Sequence, residues 1–91
     1  MVNQIEMLLG EIRRITAEIT VDRESSGFTI SNPKYSLKKG NTEVDSGTVV
    51  SVENQITCTI APKEVGSYNL DFSFDIADEH LIKRVILNVK R

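Results

Sequence analysis

An all-β fold, an antiparallel sandwich of seven or eight short strands, is what this sequence predicts, on three observations. Tyr68, Leu70, Phe72, Phe74 and Ile76 fall at every second position, with Asn69, Asp71, Ser73 and Asp75 between them. A period of two marks a strand with one buried and one wet face. Turn signals recur about every eight to twelve residues, the spacing of sandwiches and barrels. No helical pattern is secure beyond residue 21.

Residues 1–21 read in two ways. Val2, Ile5, Leu8, Leu9, Ile12, Ile15 and Ile19 recur at spacings of three and four, which suits an amphipathic helical arm. Against it, Gly10 costs a helix about 1 kcal/mol relative to alanine. From Ile15 a second rhythm sets in, with Ala17, Ile19 and Val21 alternating with Thr16, Glu18 and Thr20. The β-branched run Ile19-Thr20-Val21 favours a strand. The expectation is a short or frayed lead-in arm over residues 1–10 and a long strand over 11–21, with a helical arm as the alternative.

Phe28-Thr29-Ile30 reads as the next strand. Asn32-Pro33 reads as a turn or kink, since proline cannot donate to a ladder. Tyr35 and Leu37 belong to a third strand, and Lys39-Gly40-Asn41 is a hairpin turn. A short strand over 42–44, an Asp45-Ser46-Gly47 turn, and strands over 48–52 and 55–60 follow, the last two broken by Glu53-Asn54. Residues 62–66 form a loop into the strand over 68–76. Ala77-Asp78-Glu79-His80 is a turn, and 81–89 is the final strand, with Leu81, Val85, Leu87 and Val89 on one face. The expected core is Ile15, Ile19, Val21, Phe28, Ile30, Tyr35, Leu37, Val50, Ile56, Cys58, Ile60, Tyr68, Leu70, Phe72, Phe74, Val85, Leu87 and Val89. Residues 1–91 are expected to make a single domain, too short for two independent cores.

Composition narrows the function. With 40% apolar and 26% charged residues the chain is of globular type, and a net charge of −2 gives no electrostatic case for nucleic acid or an anionic membrane. No apolar run approaches the ~20 residues that span a bilayer. Cys58 is the one cysteine, so no internal disulfide forms, and the first nine residues lack a basic n-region and a cleavage site. A chain folding in the cytoplasm is expected.

Candidate chemistry is sparse. His80 stands beside Asp78 and Glu79 in a turn, without metal-ligand spacing and without a second histidine. Cys58, in phase with Ile56 and Ile60, reads as a buried thiol rather than a nucleophile. Asp71, Asp75, Asp78 and Glu79 suggest a calcium site, yet their spacing is that of the wet side of a strand and its turn. There is no tryptophan shelf, phosphate loop, nucleophile elbow or carboxylate pair. No catalytic residue, no metal, no cofactor and no small-molecule substrate are assigned.

Two resemblances add to this. Glu64-Val65-Gly66-Ser67-Tyr68 resembles the tyrosine corner that opens strand F of immunoglobulin-like sandwiches, with Leu70 where antibody domains place a cysteine. The order of motifs also resembles small immunoglobulin-like proteins encoded in the structural-gene clusters of tailed bacteriophages and prophages. Those motifs are Gly10-Glu11 before a long strand, Ile30-Ser31-Asn32-Pro33-Lys34-Tyr35-Ser36-Leu37, Asp45-Ser46-Gly47, Gly66-x-Tyr68-x-Leu70-x-Phe72, and Asp78-Glu79-His80-Leu81-Ile82. The likeness spans most of residues 10–90 and supplies no functional residues. It implies a non-enzymatic structural or assembly module of a virion's head, neck, tail or baseplate. Such a module would be a virion component that contacts copies of itself or other virion proteins. The expected contact residues are Arg13, Arg14, Lys83 and Arg84 with apolar Ile82 and Ile86, because the final strand is apolar on both faces. The alternative is an adhesin-like or receptor-type module that binds through its end loops. A small hydrolase is a third class, for which no convergent polar pocket is found in the sequence.

Overall fold

The structure, a computed structural model, describes residues 3–19 and 29–91. These residues form eight strands: β1 (Asn3–Leu8), β2 (Arg13–Glu18), β3 (Ile30–Lys39), β4 (Thr42–Thr48), β5 (Val50–Val52), β6 (Gln55–Ile60), β7 (Gly66–Ile76) and β8 (Glu79–Lys90). They make two packed sheets, a larger one in the order β1-β8-β7-β3-β4 and a smaller one in the order β2-β6-β5. β1 runs parallel to β8, and the other neighbours are antiparallel.

The core is the layer between the sheets. Leu70, Phe72, Phe74 and Ile76 of β7 meet Ile15 and Ala17 of β2 and Ile56, Cys58 and Ile60 of β6 in one cluster. Alternation explains this, since each strand contributes its odd or its even residues to the dry side. Leu70, Phe72, Ile56 and Leu87 are wholly covered. Two-residue turns at Gly40-Asn41, Glu53-Asn54 and Ala77-Asp78 set the registers. Each turn joins directly opposed partners: Lys39 with Thr42, Val52 with Gln55, and Ile76 with Glu79. Gly40 takes a positive φ of 63°, the conformation for which glycine carries no Cβ penalty.

Side chains at one end of the sandwich are organised around Tyr68. Its hydroxyl donates to the Glu64 carbonyl at 2.8 Å, tying the loop after β6 to the start of β7. The Lys39 ammonium stands 6.0 Å from the Tyr68 ring centre and 3.8 Å from the Glu64 carboxylate. The Lys39 stem passes so close to Gly66 that a Cβ there would lie 3.0 Å from Lys39 Cε. Glycine at 66 therefore serves both its φ of 139° and this approach.

Several expectations are corrected. Residues 3–10 are not a frayed arm, and the described part of 1–21 is not helical. Asn3–Leu8 is a strand held by β8, and Met7 is in the core. The sandwich is therefore not wholly antiparallel. The long strand expected over 11–21 is shorter, Arg13–Glu18, and Val21 and Phe28 lie outside the described residues. Asn32-Pro33 does not separate two strands. β3 runs through it with a bulge, Asn32 at φ 51° and the register with β7 shifting between Ser31 and Lys34. A bulge absorbs a proline that an unbroken ladder would reject. Asp45-Ser46-Gly47 is likewise inside β4, where Gly47 admits the Tyr35 ring. Val50 is not in the core but 69% exposed. It pairs with Thr57, on the opposite side of the small sheet from Ile56 and Cys58. Tyr35 is half-buried, and Ala17 and Ile76 join the core.

Replacing Tyr68 with phenylalanine keeps the ring and removes one partly buried hydrogen bond. Urea denaturation of Tyr68→Phe should show a loss of about 1 kcal/mol with an unchanged m-value.

Candidate functional site

The surfaces available for contact are the two outer sheet faces and the free strand edges. On the large sheet, even-numbered residues of β8 and odd-numbered residues of β7 face outward, which places Ile82, Arg84 and Ile86 together there. Ile82 is 64% exposed opposite Ser73, and Ile86 is half-buried opposite Asn69. Arg84 stands opposite Asp71, its Nε donating to Oδ1 at 2.7 Å and its Nη2 to Oδ2 at 3.0 Å. The carboxylate raises the Arg84 pKa, first by hydrogen bonding and then by charge. Asp71 was expected to be wet. Although on the outer face, it is only 9% exposed.

The other expected contact residues are elsewhere. Arg14 is exposed on the outer face of the small sheet, opposite Thr59. Arg13 has the inward phase of Ile15 and Ala17 at the end of β2, with Nη1 3.8 Å from Glu11 Oε1. Lys83 is also in the inward phase, opposite Phe72, and its Nζ donates to the Glu18 carbonyl at 3.1 Å, linking the sheets along their open side. Arg13 and Arg14 therefore point to opposite faces, as adjacent strand residues must.

The sequence reading missed the outer face of the small sheet. Val50 and Val52 there, 69% and 63% exposed, adjoin Thr57 on β6, and Thr16 and Thr57 hydroxyls are 3.0 Å apart. The signal was Val50-Ser51-Val52 in phase with Thr57, readable only once the Glu53-Asn54 turn sets the register.

The polar clusters are mutually satisfied. Asp75 accepts from Asn32 Nδ2 at 3.1 Å and is 2.7 Å from His80 Nδ1, and these contacts hold its pKa below the usual carboxylate range. Among the described residues, no group of three or more His, Cys, Asp or Glu side chains is placed to hold a metal ion, and no helix is long and apolar enough to cross a membrane. Cys58 is buried, and burial, followed by the Asp45 charge, pushes its thiol up to about 11. An open concavity of about 580 Å³ at one end of the sandwich is lined by Ile12, Val44, Pro62, Lys63, Glu64 and Tyr68 among others.

Two outcomes follow from these environments. Arg84→Ala removes a two-point contact with a carboxylate that is itself little exposed and should lower the thermal midpoint slightly, whereas Lys90→Ala, which breaks a single contact between two exposed side chains, should not measurably do so. At pH 8 iodoacetamide should alkylate native Cys58 about a hundredfold or more slowly than the urea-unfolded chain, as read by mass spectrometry.

Comparisons with protein-family models, with curated proteins and with solved structures return no match to this chain.

Proposed function

We propose that the chain is an immunoglobulin-like structural or assembly module of a phage or prophage virion, working through protein–protein contacts and catalysing no reaction. Strand order supports the finer fold reading. Taking β2 to β8 as strands B, C, C′, D, E, F and G groups G, F, C and C′ in the larger sheet and B, E and D in the smaller, the division expected of variable-type domains. The Tyr68 hydroxyl bonded to the Glu64 carbonyl has the form of a tyrosine corner at the start of strand F.

One observation carries the functional reading: large apolar side chains are exposed on the outer faces of both sheets. Ile82 is on the large sheet, and Val50 and Val52 are on the small one. Apolar groups left exposed on the outer faces of sheets suit contact with another protein surface. The motif order over residues 10–90 directs the reading to virion proteins. An adhesin-like or receptor-type module is the second reading, favoured by exposed Ile12 beside the Pro62-Lys63-Glu64 loop at one end. Capsid and tail genes beside the coding sequence support the first, and a secretion or cell-wall locus supports the second.

The decisive experiment is mass spectrometry of purified particles together with deletion of the gene. The chain should co-purify in fixed proportion to the major virion proteins, and its deletion should halt assembly at a defined stage. Complete, infectious particles lacking the chain overturn the proposal.

A further inference from the structure

β2 is the last strand of the small sheet, and its hydrogen-bonding directions can be read from one contact. The Ile19 amide donates to the Asn54 carbonyl at 2.7 Å, so residues in phase with Ile19, namely Ala17 and Ile15, exchange their hydrogen bonds with β6. The amides and carbonyls of Arg14, Thr16 and Glu18 therefore point away from the sheet. Lys83 confirms the direction, since it reaches the Glu18 carbonyl from the open side. The Arg14 and Glu18 side chains are exposed on the outer face and make no ion pair among the described residues.

We propose that this edge pairs with the β2 edge of a second copy, antiparallel and about a two-fold axis through Thr16, joining the two small sheets into one of six strands. In that register Arg14 lies opposite the partner's Glu18, and Thr16 opposite its own copy. The charges fall opposite their complements at the same setting that aligns every outward amide with an outward carbonyl. Backbone and side chains thus choose one register independently, and the pairing is isologous and closed. The Glu18 carbonyl can serve both Lys83 and the partner, having two lone pairs.

The other edges fit a second copy less well. The Leu8 amide of β1 is capped by the Glu11 carboxylate at 2.6 Å. β4 carries Glu43 and Asp45 with no lysine or arginine, so self-pairing sets acid near acid, and β5 is three residues long. The proposal rests on the reading of the chain as a protein-contact module and names its partner. An edge contact is small, so the dimer is expected to be weak, with dissociation constants of about 10–500 µM.

Sedimentation velocity of the full chain, up to about 1 mM at low salt, should show a reversible dimer that weakens as salt rises. Arg14→Glu and Glu18→Arg each set like charges opposite at two symmetry-related places and should weaken it about tenfold. The double exchange should restore it to within about threefold, because the opposite charges face each other again. Both residues are exposed, so folding is spared, and the Thr16 amide should gain hydrogen-exchange protection as wild-type concentration rises. A wild-type monomer throughout this range overturns the β2 pairing. So does a dimer indifferent to the single changes, which would move self-association to another surface. Neither result bears on the particle and deletion experiment, which tests the virion role by itself.

Discussion

Alternation along β7 is the constraint on which the other elements depend. β7 lies between β8 and β3, the middle of the large sheet, and every second side chain from Tyr68 to Ile76 must stay in the dry layer. A one-residue slip would expose Leu70, Phe72 and Phe74 and drive Asp71 and Asp75 inward, so the register is strongly determined. Its neighbours inherit it. The Ala77-Asp78 turn transmits the phase to β8, burying Val85, Leu87 and Val89, and β8 in turn places Met7 of β1 over the core. The Tyr68 hydroxyl anchors the other end of the strand to the loop from β6, which couples the two sheets where the chain crosses between them.

The same alternation organises the outer surface. Complementary polar side chains meet across β7 and β8 because the hairpin register brings Asp71 to Arg84 and Asp75 to His80. Four hydrogen-bonded or ion-paired contacts of this kind, with Lys90 to Glu6 and Asn32 to Asp75, give the large sheet a polar, internally satisfied face around Ile82. The small sheet differs. Its face carries Val50 and Val52 with threonines, and its β2 edge turns backbone groups of Arg14, Thr16 and Glu18 away from the sheet, with no strand beside them among the described residues. Large and small sheets thus divide the labour, one closing the core and the other offering the less satisfied surface. This asymmetry is the physical basis for reading the molecule as a contact module.

Much of this was legible before any coordinates. β6 and the inward face of β7 follow from period two, and Cys58 was placed inside by its phase with Ile56 and Ile60. The covered state of Asp71 was legible in principle, since a two-residue turn at Ala77-Asp78 counts Asp71 onto Arg84. Reading that turn as four residues hid the pairing. Val50 was misplaced because Val49, Val50 and Val52 give no clean alternation, and a strand of three residues takes its phase from its partner. Asn32-Pro33 and Asp45-Ser46-Gly47 carry turn composition yet lie within strands. Neighbours on both sides of β3 supply pairing that outweighs local preference, and a bulge absorbs the misfit.

By itself, the chain's residue pattern determined the class of fold, most of the buried layer and the positions of the tight turns, because side-chain periodicity and backbone conformational limits are local properties. Only the tertiary structure decided that β1 adds in parallel beside β8, that Lys83 reaches across to the Glu18 carbonyl, and that β2 is an end strand of its sheet among the described residues. Those features depend on which strands become neighbours. That choice is made by contacts between residues up to about eighty positions apart, such as Met7 beside Val89, whose pairing no local period encodes.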